Sequence, residues 1–151
     1  MELVREWSDI FEKDLENFSE VLKEIVPTSS AIILTGPVGA GKTTFTKYFI
    51  ESDEGEEVCS PTYSVINENG NSAHADFYRL KSEEEVIHLE LPLYLDDKDY
   101  FLIEWGRPFL KEISRNLDED WAIFELVFKI NSGNLDQNEV FSRNIQLFKH
   151  F

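Results

Sequence analysis

Cysteine is almost absent from this sequence, in which Cys59 is the single thiol among 151 residues. One thiol excludes a disulfide within the chain and any metal site built from several cysteines. The chain also has no apolar run near the roughly 20 residues that a membrane-spanning helix needs. Its first seven residues, MELVREW, lack the basic and then apolar layout of a signal peptide. These absences predict a cytoplasmic protein without a membrane partner.

Basic residues are scarce as well. Lys and Arg number 14 against 30 Asp and Glu, which gives a net charge of −16. Such a surface repels the phosphate backbone of nucleic acids, so we expect no autonomous binding to them. It would suit a basic protein partner, although solubility alone is the simpler explanation of such acidity. The length, with 42% hydrophobic and 13% aromatic residues, predicts one folded domain over residues 1–151.

Glycine is sparse but clustered, and the cluster forms the most informative motif of the chain. Residues Gly36 to Thr43 match the phosphate-binding pattern G-x-x-x-x-G-K-[ST] at each fixed position. The glycines allow successive backbone N–H groups to face an anion. Lys42 would reach the β- and γ-phosphates, and the Thr43 hydroxyl would bind Mg²⁺. The predicted nucleotide-binding residues are Gly36, Pro37, Val38, Gly39, Ala40, Gly41, Lys42, Thr43 and Thr44.

The flanking sequence supports this interpretation. Ala31–Leu34 is a short apolar run typical of a buried strand, and Thr43–Ile50 is predicted to be the helix whose N-terminus holds the phosphates. A strand before the loop and a helix after it distinguish a phosphate loop from an ordinary glycine-rich turn. The sequence therefore predicts binding of a nucleoside triphosphate.

Periodicity predicts the other elements. Ser8 would cap a first helix, with an apolar stripe through Ile25, that ends at Pro27. Asn69-Gly70 predicts a hairpin turn. Further strands are predicted at 3–7, 63–67, 72–77, 100–103, 121–130 and 143–149, helices after Ser82 and at 106–115, and turns at 51–57 and 131–138. This order predicts a three-layer α/β fold with a mixed sheet, parallel at the nucleotide site and antiparallel at one edge.

Two carboxylates are candidates for chemistry beyond binding. Glu104 follows the apolar strand at 100–103, at the end of a strand where α/β sheets place ligands, and could bind Mg²⁺ opposite Thr43. The alternative is an ordinary surface acid at a strand end. Asp76 ends the strand after the hairpin and could support a metal ligand or orient water. Arg79 could offset phosphate charge or form a surface ion pair, whereas His74 is interpreted as structural. Ser60–Thr62 lies where nucleotide switch loops often occur.

Four blocks of sequence together resemble the bacterial TsaE (YjeE) family. They are Gly36–Phe45, Ser60–Tyr63 (SPTY), Asp76–Leu80 (DFYRL) and Ile103–Trp105 (IEW), in the order of the family and at similar spacing. The resemblance covers residues 1–105 well and the remainder by its strand pattern. It implies the α/β fold of P-loop NTPases.

The resemblance also implies a function. Members of the family are small ATPases that work with TsaB and TsaD, which together attach a threonylcarbamoyl group to the adenosine beside the anticodon of ANN-decoding transfer RNAs. Their ATP turnover resets the TsaB–TsaD assembly rather than transferring the group. ATP would be the substrate and Mg²⁺ the cofactor, and transfer RNA would be held by the partners.

Matched by position, the family assigns roles to five residues here. Lys42 and Thr43 correspond to the phosphate and Mg²⁺ ligands, Glu104 to the carboxylate beside the metal, Asp76 to the acid needed for turnover, and Trp105 to an aromatic beside the site. Lys42, Asp76 and Glu104 are accordingly the predicted catalytic residues, and Thr43 and Glu104 the predicted metal ligands.

Two departures from the family pattern stand out. Pro37-Val38 replaces acidic or other polar residues, and Pro37 removes one backbone N–H from the start of the loop. Residues 88–93, HLELPL, lack the glycine usual in this connection.

Three other classes of P-loop protein are alternatives to this family. A kinase would need an arginine-rich lid, but Arg107, Arg115 and Arg143 are scattered. A GTPase would need an Asn-Lys-x-Asp motif, which the chain lacks. A nucleotide-gated module that does not hydrolyse remains open, although Thr43, Asp76 and Glu104 together favour catalysis.

Overall fold

The computed structural model describes residues 1–50, 65–131 and 141–151. Predictions on the remaining residues lie outside the described residues; they concern Cys59, Ser60–Thr62, the turn at 51–57 and most of the turn at 131–138. The strands are β1 Glu2–Ile10, β2 Ser30–Thr35, β3 Ile66–Asn69, β4 Ser72–Asp76, β5 Tyr100–Glu104, β6 Ala122–Ile130 and β7 Arg143–His150. The helices are α1 Leu15–Ile25, α2 Lys42–Ile50, α3 Glu83–His88, α4 Leu91–Leu95 and α5 Leu110–Arg115.

The described strands form one mixed sheet in the order β1-β7-β6-β2-β5-β4-β3. The four central strands β6, β2, β5 and β4 are parallel, and the phosphate-loop strand β2 lies among them. The pairs at both edges are antiparallel. Parallel strands need helical crossovers, which cover both faces and explain why β2 and β5 have continuous apolar centres, Ala31–Leu34 and Phe101–Ile103. The predicted three-layer α/β fold with a mixed sheet is confirmed.

Two apolar clusters lie on opposite faces of the sheet. One packs α1 and α2 against residues such as Ile32, Leu102 and Leu126, and the other packs α3, α4 and α5 against residues such as Ile33 and Phe101. Alternate residues of β2 therefore serve different layers, as the period of two in a strand requires. Because α2 begins directly after the phosphate loop, strand-end side chains on the α2 face of the sheet lie on the same side of it as the loop.

The predicted start of the first helix is wrong. Ser8 lies in β1, which continues to Ile10 because its backbone pairs with β7 as far as Arg143. A 3₁₀ turn at Glu12–Asp14 follows, in which the Asp14 carboxylate accepts the N–H of Phe11, and α1 begins only at Leu15. Long-range strand pairing thus overrides a local capping signal that a serine before an apolar stripe would otherwise provide.

Candidate functional site

The phosphate loop joins the end of β2 to the start of α2. Gly36, Gly39 and Gly41 all have positive φ angles, of 152°, 87° and 101°, which side chains rarely tolerate. The N–H of Ala40 donates to the carbonyl of Pro37 at 3.2 Å, so the residue that departs from the family pattern supports the turn as an acceptor. The helix begins at Lys42, and the first N–H groups of a helix have no intrahelical partner. This geometry suits an anion.

The predicted nucleotide-binding residues therefore form one continuous segment. Gly36, Pro37, Val38, Gly39, Ala40 and Gly41 form the loop, and Lys42, Thr43 and Thr44 form the first turn of α2. Val38 is 85% exposed, and its neighbours Pro37 and Gly39 are exposed as well.

Lys42 lies inside the loop rather than in solvent. Only 7% of the residue is exposed, and its Nζ donates to the carbonyl of Gly36. The same Nζ lies 4.9 Å from the centre of the Trp105 ring. Burial lowers the pKa of Lys42, and the negative charges of Glu104 and Asp76 oppose that effect. The ammonium group is thus held at the loop between carboxylates and an aromatic face.

Asp76 and Glu104 are neighbours at the carboxyl ends of adjacent parallel strands. The register pairs Asp76 on β4 with Glu104 on β5, and Glu104 with Leu34 on β2. Leu34 and Leu102 face α2, and Glu104 shares the face of Leu102 because it follows by two residues. The structure therefore brings all three predicted catalytic residues to one place beside the loop.

The two carboxylates differ in their surroundings. Glu104 is 6% exposed, and its Oε2 lies 3.0 Å from Nε2 of the buried His74. Asp76 is half-buried, and its Oδ1 accepts the N–H of Tyr78 at 3.0 Å. One oxygen of each carboxylate is thereby oriented, which fixes the direction of the other.

His74, which the sequence indicates as structural, makes a contact with Glu104 that the sequence analysis does not predict. It precedes Asp76 by two residues and so shares its face of β4, opposite Leu102 in the register. The period of two was the available signal. It places a histidine one strand away from Glu104, within reach of its side chain.

Trp105 lies beside Lys42 at one side of the site. It follows Glu104 with a φ of 61°, a left-handed backbone conformation that ends β5. The residue is 40% exposed, and the centroid of its ring lies 5.1 Å from that of Tyr78. The pair forms an aromatic wall beside Lys42, where the family resemblance placed an aromatic residue.

Two arginines that the sequence singled out have different surroundings. Arg79 is exposed after β4. Arg107 reaches the fully buried Glu125, whose Oε2 accepts the hydroxyl of Thr35 at 2.7 Å. This network ties the end of β2 to the segment after β5 on the face opposite α2.

Metal coordination here would be incomplete from protein alone. No group of three His, Cys, Asp or Glu side chains able to hold a metal ion occurs in the described ranges. Mg²⁺ in nucleotide sites usually takes one or two protein oxygens and completes its shell with phosphates and water. Thr43, half-buried in the first turn of α2, and Glu104 at the end of β5 fit that smaller role.

No helix among the described residues is long and apolar enough to cross a bilayer.

Comparison with known proteins identifies the family of this chain. Residues 11–134 match the family model described as threonylcarbamoyl adenosine biosynthesis protein TsaE. The tRNA threonylcarbamoyladenosine biosynthesis protein TsaE of Borreliella burgdorferi is 32% identical over 126 residues, which cover 79% of this chain and 87% of that protein. The protein of the same name from Haemophilus influenzae is 31% identical over 131 residues, or 78% and 83% of the two chains.

A solved structure shares the fold. The crystal structure of Bacillus subtilis YdiB superposes with a TM-score of 0.64 at 21% identity, over 97% of this chain and 86% of that one. The family model covers most of the chain, and its relatives match over most of their own length. The protein therefore belongs to the TsaE family, whose fold is of the P-loop ATPase type.

Proposed function

We propose that this protein binds ATP with Mg²⁺ and hydrolyses it as the ATPase component of tRNA threonylcarbamoyladenosine biosynthesis. In this role it acts on an assembly of TsaB and TsaD and supports their repeated cycling, without transferring the threonylcarbamoyl group itself. One observation carries the ATPase part of the proposal. The phosphate loop encloses Lys42, and Asp76 and Glu104 lie in register beside it.

Binding of the triphosphate follows from charge and backbone geometry. The loop offers N–H groups at the start of α2, and Lys42 supplies a cation that burial has partly removed from water. A phosphate would add negative charge next to that ammonium group and favour its protonated form. The Gly36 carbonyl and the Trp105 ring hold the ammonium group at the loop beforehand, so little ordering is needed on binding.

Hydrolysis requires the carboxylates. Glu104 and the Thr43 hydroxyl would hold Mg²⁺, which when bound neutralises charge that develops on the phosphate oxygens. His74 orients Glu104 through one oxygen and leaves the other for the metal side. Asp76, with Oδ1 engaged by the N–H of Tyr78, would orient the attacking water or accept its proton through Oδ2.

The acidic surface fits a protein that does not itself hold transfer RNA. A net charge of −16 disfavours approach to a phosphate backbone, so the RNA would be bound by the partner proteins. The relatives are named for tRNA threonylcarbamoyladenosine biosynthesis, which supports placing this chain in that process.

The first experiment is to measure phosphate release from ATP with the purified protein, alone and with TsaB and TsaD from the same organism. We expect weak activity alone and strong stimulation by the pair. Lys42→Ala serves as the control and should lose both tight ATP binding, measured by calorimetry, and stimulated turnover.

Three outcomes would contradict parts of the proposal separately. Tight ATP binding by Lys42→Ala would refute the phosphate-loop assignment. Turnover that ignores TsaB and TsaD would leave an ATPase with a different partner. Lys42-dependent binding with no phosphate release under any condition would favour a non-hydrolysing, nucleotide-gated module.

A further inference from the structure

Arg143 is a buried arginine next to the phosphate loop that the proposed ATPase mechanism does not use. It is the first residue of β7, only 2% exposed, and is paired in register with Ile130 on β6. Its side chain shares the face of Ile145 and Leu147, which belong to the cluster that packs on α1 and α2. Arg143 therefore lies in the same layer as the loop and its helix.

The guanidinium group lies close to the loop at Gly41. A Cβ built on Gly41 would lie 3.5 Å from both Cζ and Nε of Arg143, and 3.3 Å from a methyl carbon of Leu15. The missing side chain at Gly41 thus lets the guanidinium approach the loop backbone one residue before Lys42. One further contact is aromatic, since Cζ lies 4.8 Å from the centre of the Phe141 ring.

Two nitrogens of Arg143 have no hydrogen-bond partner in the part of the chain that the structure describes. Nε and Nη1 are buried, and neither has a hydrogen-bond partner among the described residues. Burying cationic donors unpaired is unfavourable, and a guanidinium remains charged in proteins. Burial accordingly lowers the pKa of Arg143, while the charges of Glu12 and Asp14 oppose that effect. The unpaired N–H groups are consistent with a ligand that supplies oxygen atoms.

We propose that Arg143 is a nucleotide-binding residue that contacts the α-phosphate of ATP, an assignment that rests on the proposed ATP binding. The sheet order supports this choice of phosphate. Glu104 and Asp76 lie on β5 and β4, on one side of the loop strand β2, and Arg143 lies on β7, on the other side. If the γ-phosphate faces the carboxylates, the α-phosphate end of the triphosphate extends toward β6 and β7. Guanidinium groups bind phosphate oxygens strongly and in a defined geometry.

The first test compares the affinities of ATP and ADP by calorimetry for the wild type and Arg143→Met. Loss of a charged hydrogen bond predicts an affinity at least about tenfold weaker, and by the same factor for both nucleotides, because both carry an α-phosphate. Arg143→Lys keeps the positive charge but lacks the planar guanidinium group. Its affinity for each nucleotide should therefore lie between those of the wild type and Arg143→Met. Arg115→Met removes an exposed arginine at the end of α5 and is the matched control, with unchanged affinity.

A second test separates phosphate contact from mere support of the loop. Replacing one non-bridging α-phosphate oxygen with sulfur should weaken binding to the wild type for at least one diastereomer, but not weaken binding to Arg143→Met further. Sulfur on the γ-phosphate should affect both proteins equally. Thermal unfolding without nucleotide checks that each variant is folded. If Arg143→Met does not fold, binding of the sulfur-substituted nucleotides is compared between the wild type and Arg143→Lys instead.

Several results would overturn the assignment. These are unchanged affinity in folded Arg143→Met, a loss confined to ATP, or sulfur effects that simply add to the effect of the mutation. Failure of the proposed function looks different, because the wild type would then bind no ATP or Lys42→Ala would bind it normally; that result would overturn both proposals.

Discussion

One residue of the candidate site has a strained backbone. Trp105 adopts a φ of 61° directly after Glu104, although a left-handed conformation is unfavourable for a bulky side chain. Such strain persists only where surrounding contacts compensate for it, and it is common at functional positions. Here the compensating contacts are the Tyr78 ring and the Lys42 ammonium group. The strained residue thus lies between Glu104, which it follows in the chain, and the Lys42 ammonium group, which it contacts.

At this scale, binding and hydrolysis should be separable by mutation. Asp76→Asn and Glu104→Gln keep the shape of each side chain but remove the charge. We expect ATP affinity to stay within a few-fold and the stimulated rate of phosphate release to fall about a hundredfold or more, since each group acts on the metal or water rather than on the loop. Binding would be measured by calorimetry and turnover by phosphate release.

Glu83→Gln, on the exposed first turn of α3, is the control for loss of one negative charge and should behave as the wild type. Normal turnover in both site variants would remove Asp76 and Glu104 from the mechanism.

At the scale of elements, the glycines of the phosphate loop are not equivalent. A Cβ on Gly36 would lie 2.7 Å from the carbonyl oxygen of Phe128 and 2.9 Å from its Cβ, so the loop would have to move away from β6. A Cβ on Gly39 would meet no atom within 4 Å, and only its φ of 87° opposes substitution. Gly36 is therefore required for packing and Gly39 for its backbone conformation.

We predict that Gly36→Ala lowers the free energy of unfolding by roughly 2–4 kcal/mol, from the combined costs of a clash and a strained backbone. Gly39→Ala should cost about 1 kcal/mol from strain alone. Chemical denaturation of the nucleotide-free proteins measures both. Equal losses for the two variants would show that contact with Phe128 is not what requires Gly36.

The junction between α3 and α4 shows what replaces the glycine that the family usually has in this connection. Glu90 takes a left-handed conformation, with φ 56° and ψ 54°, as it caps the start of α4. Its side chain is exposed, so little contact would be lost on removing it. The backbone thus needs a conformation that glycine adopts more easily, even though the sequence has no glycine there.

Glu90→Gly should therefore stabilise the protein by about 0.5–1 kcal/mol, because relief of left-handed strain exceeds the added entropy of the unfolded chain. Glu84→Gly, at an exposed position inside α3, should instead destabilise it by about 1 kcal/mol. Thermal and chemical unfolding of the pair would test this contrast. Destabilisation of similar size in both variants would contradict it.

At the scale of the whole molecule, charge governs which partners can approach. With 30 acidic and 14 basic residues, the protein has a net negative charge that repels nucleic acid at distances within the Debye length. The same charge favours approach to a basic protein surface. Contact with transfer RNA would then depend on the partner proteins.

We predict that transfer RNA alone does not bind this protein at physiological salt. An electrophoretic mobility shift at sub-micromolar protein, without partners, would contradict the prediction. The same assay with TsaB and TsaD present checks that the RNA is competent to bind.

How much could be predicted from sequence varied with the range of the interactions involved. The phosphate-loop motif could be predicted because its glycines, Lys42 and Thr43 lie within eight residues and the motif depends on local backbone geometry. Glu104 was visible as an acid at the end of an apolar strand. By contrast, the start of α1 was misplaced because strand pairing with β7 extends β1 past Ser8.

The sequence by itself thus determined that a glycine-rich loop with the phosphate-binding pattern lies between a strand and a helix, and that acids end two other strands. Only the tertiary structure decided which groups meet there. The contact between His74 and Glu104 depends on the order and register of β4 and β5, and the approach of Arg143 to Gly41 depends on how β7 returns along β6. Neither follows from neighbouring residues, because sheet order and register are set by burial across the whole core.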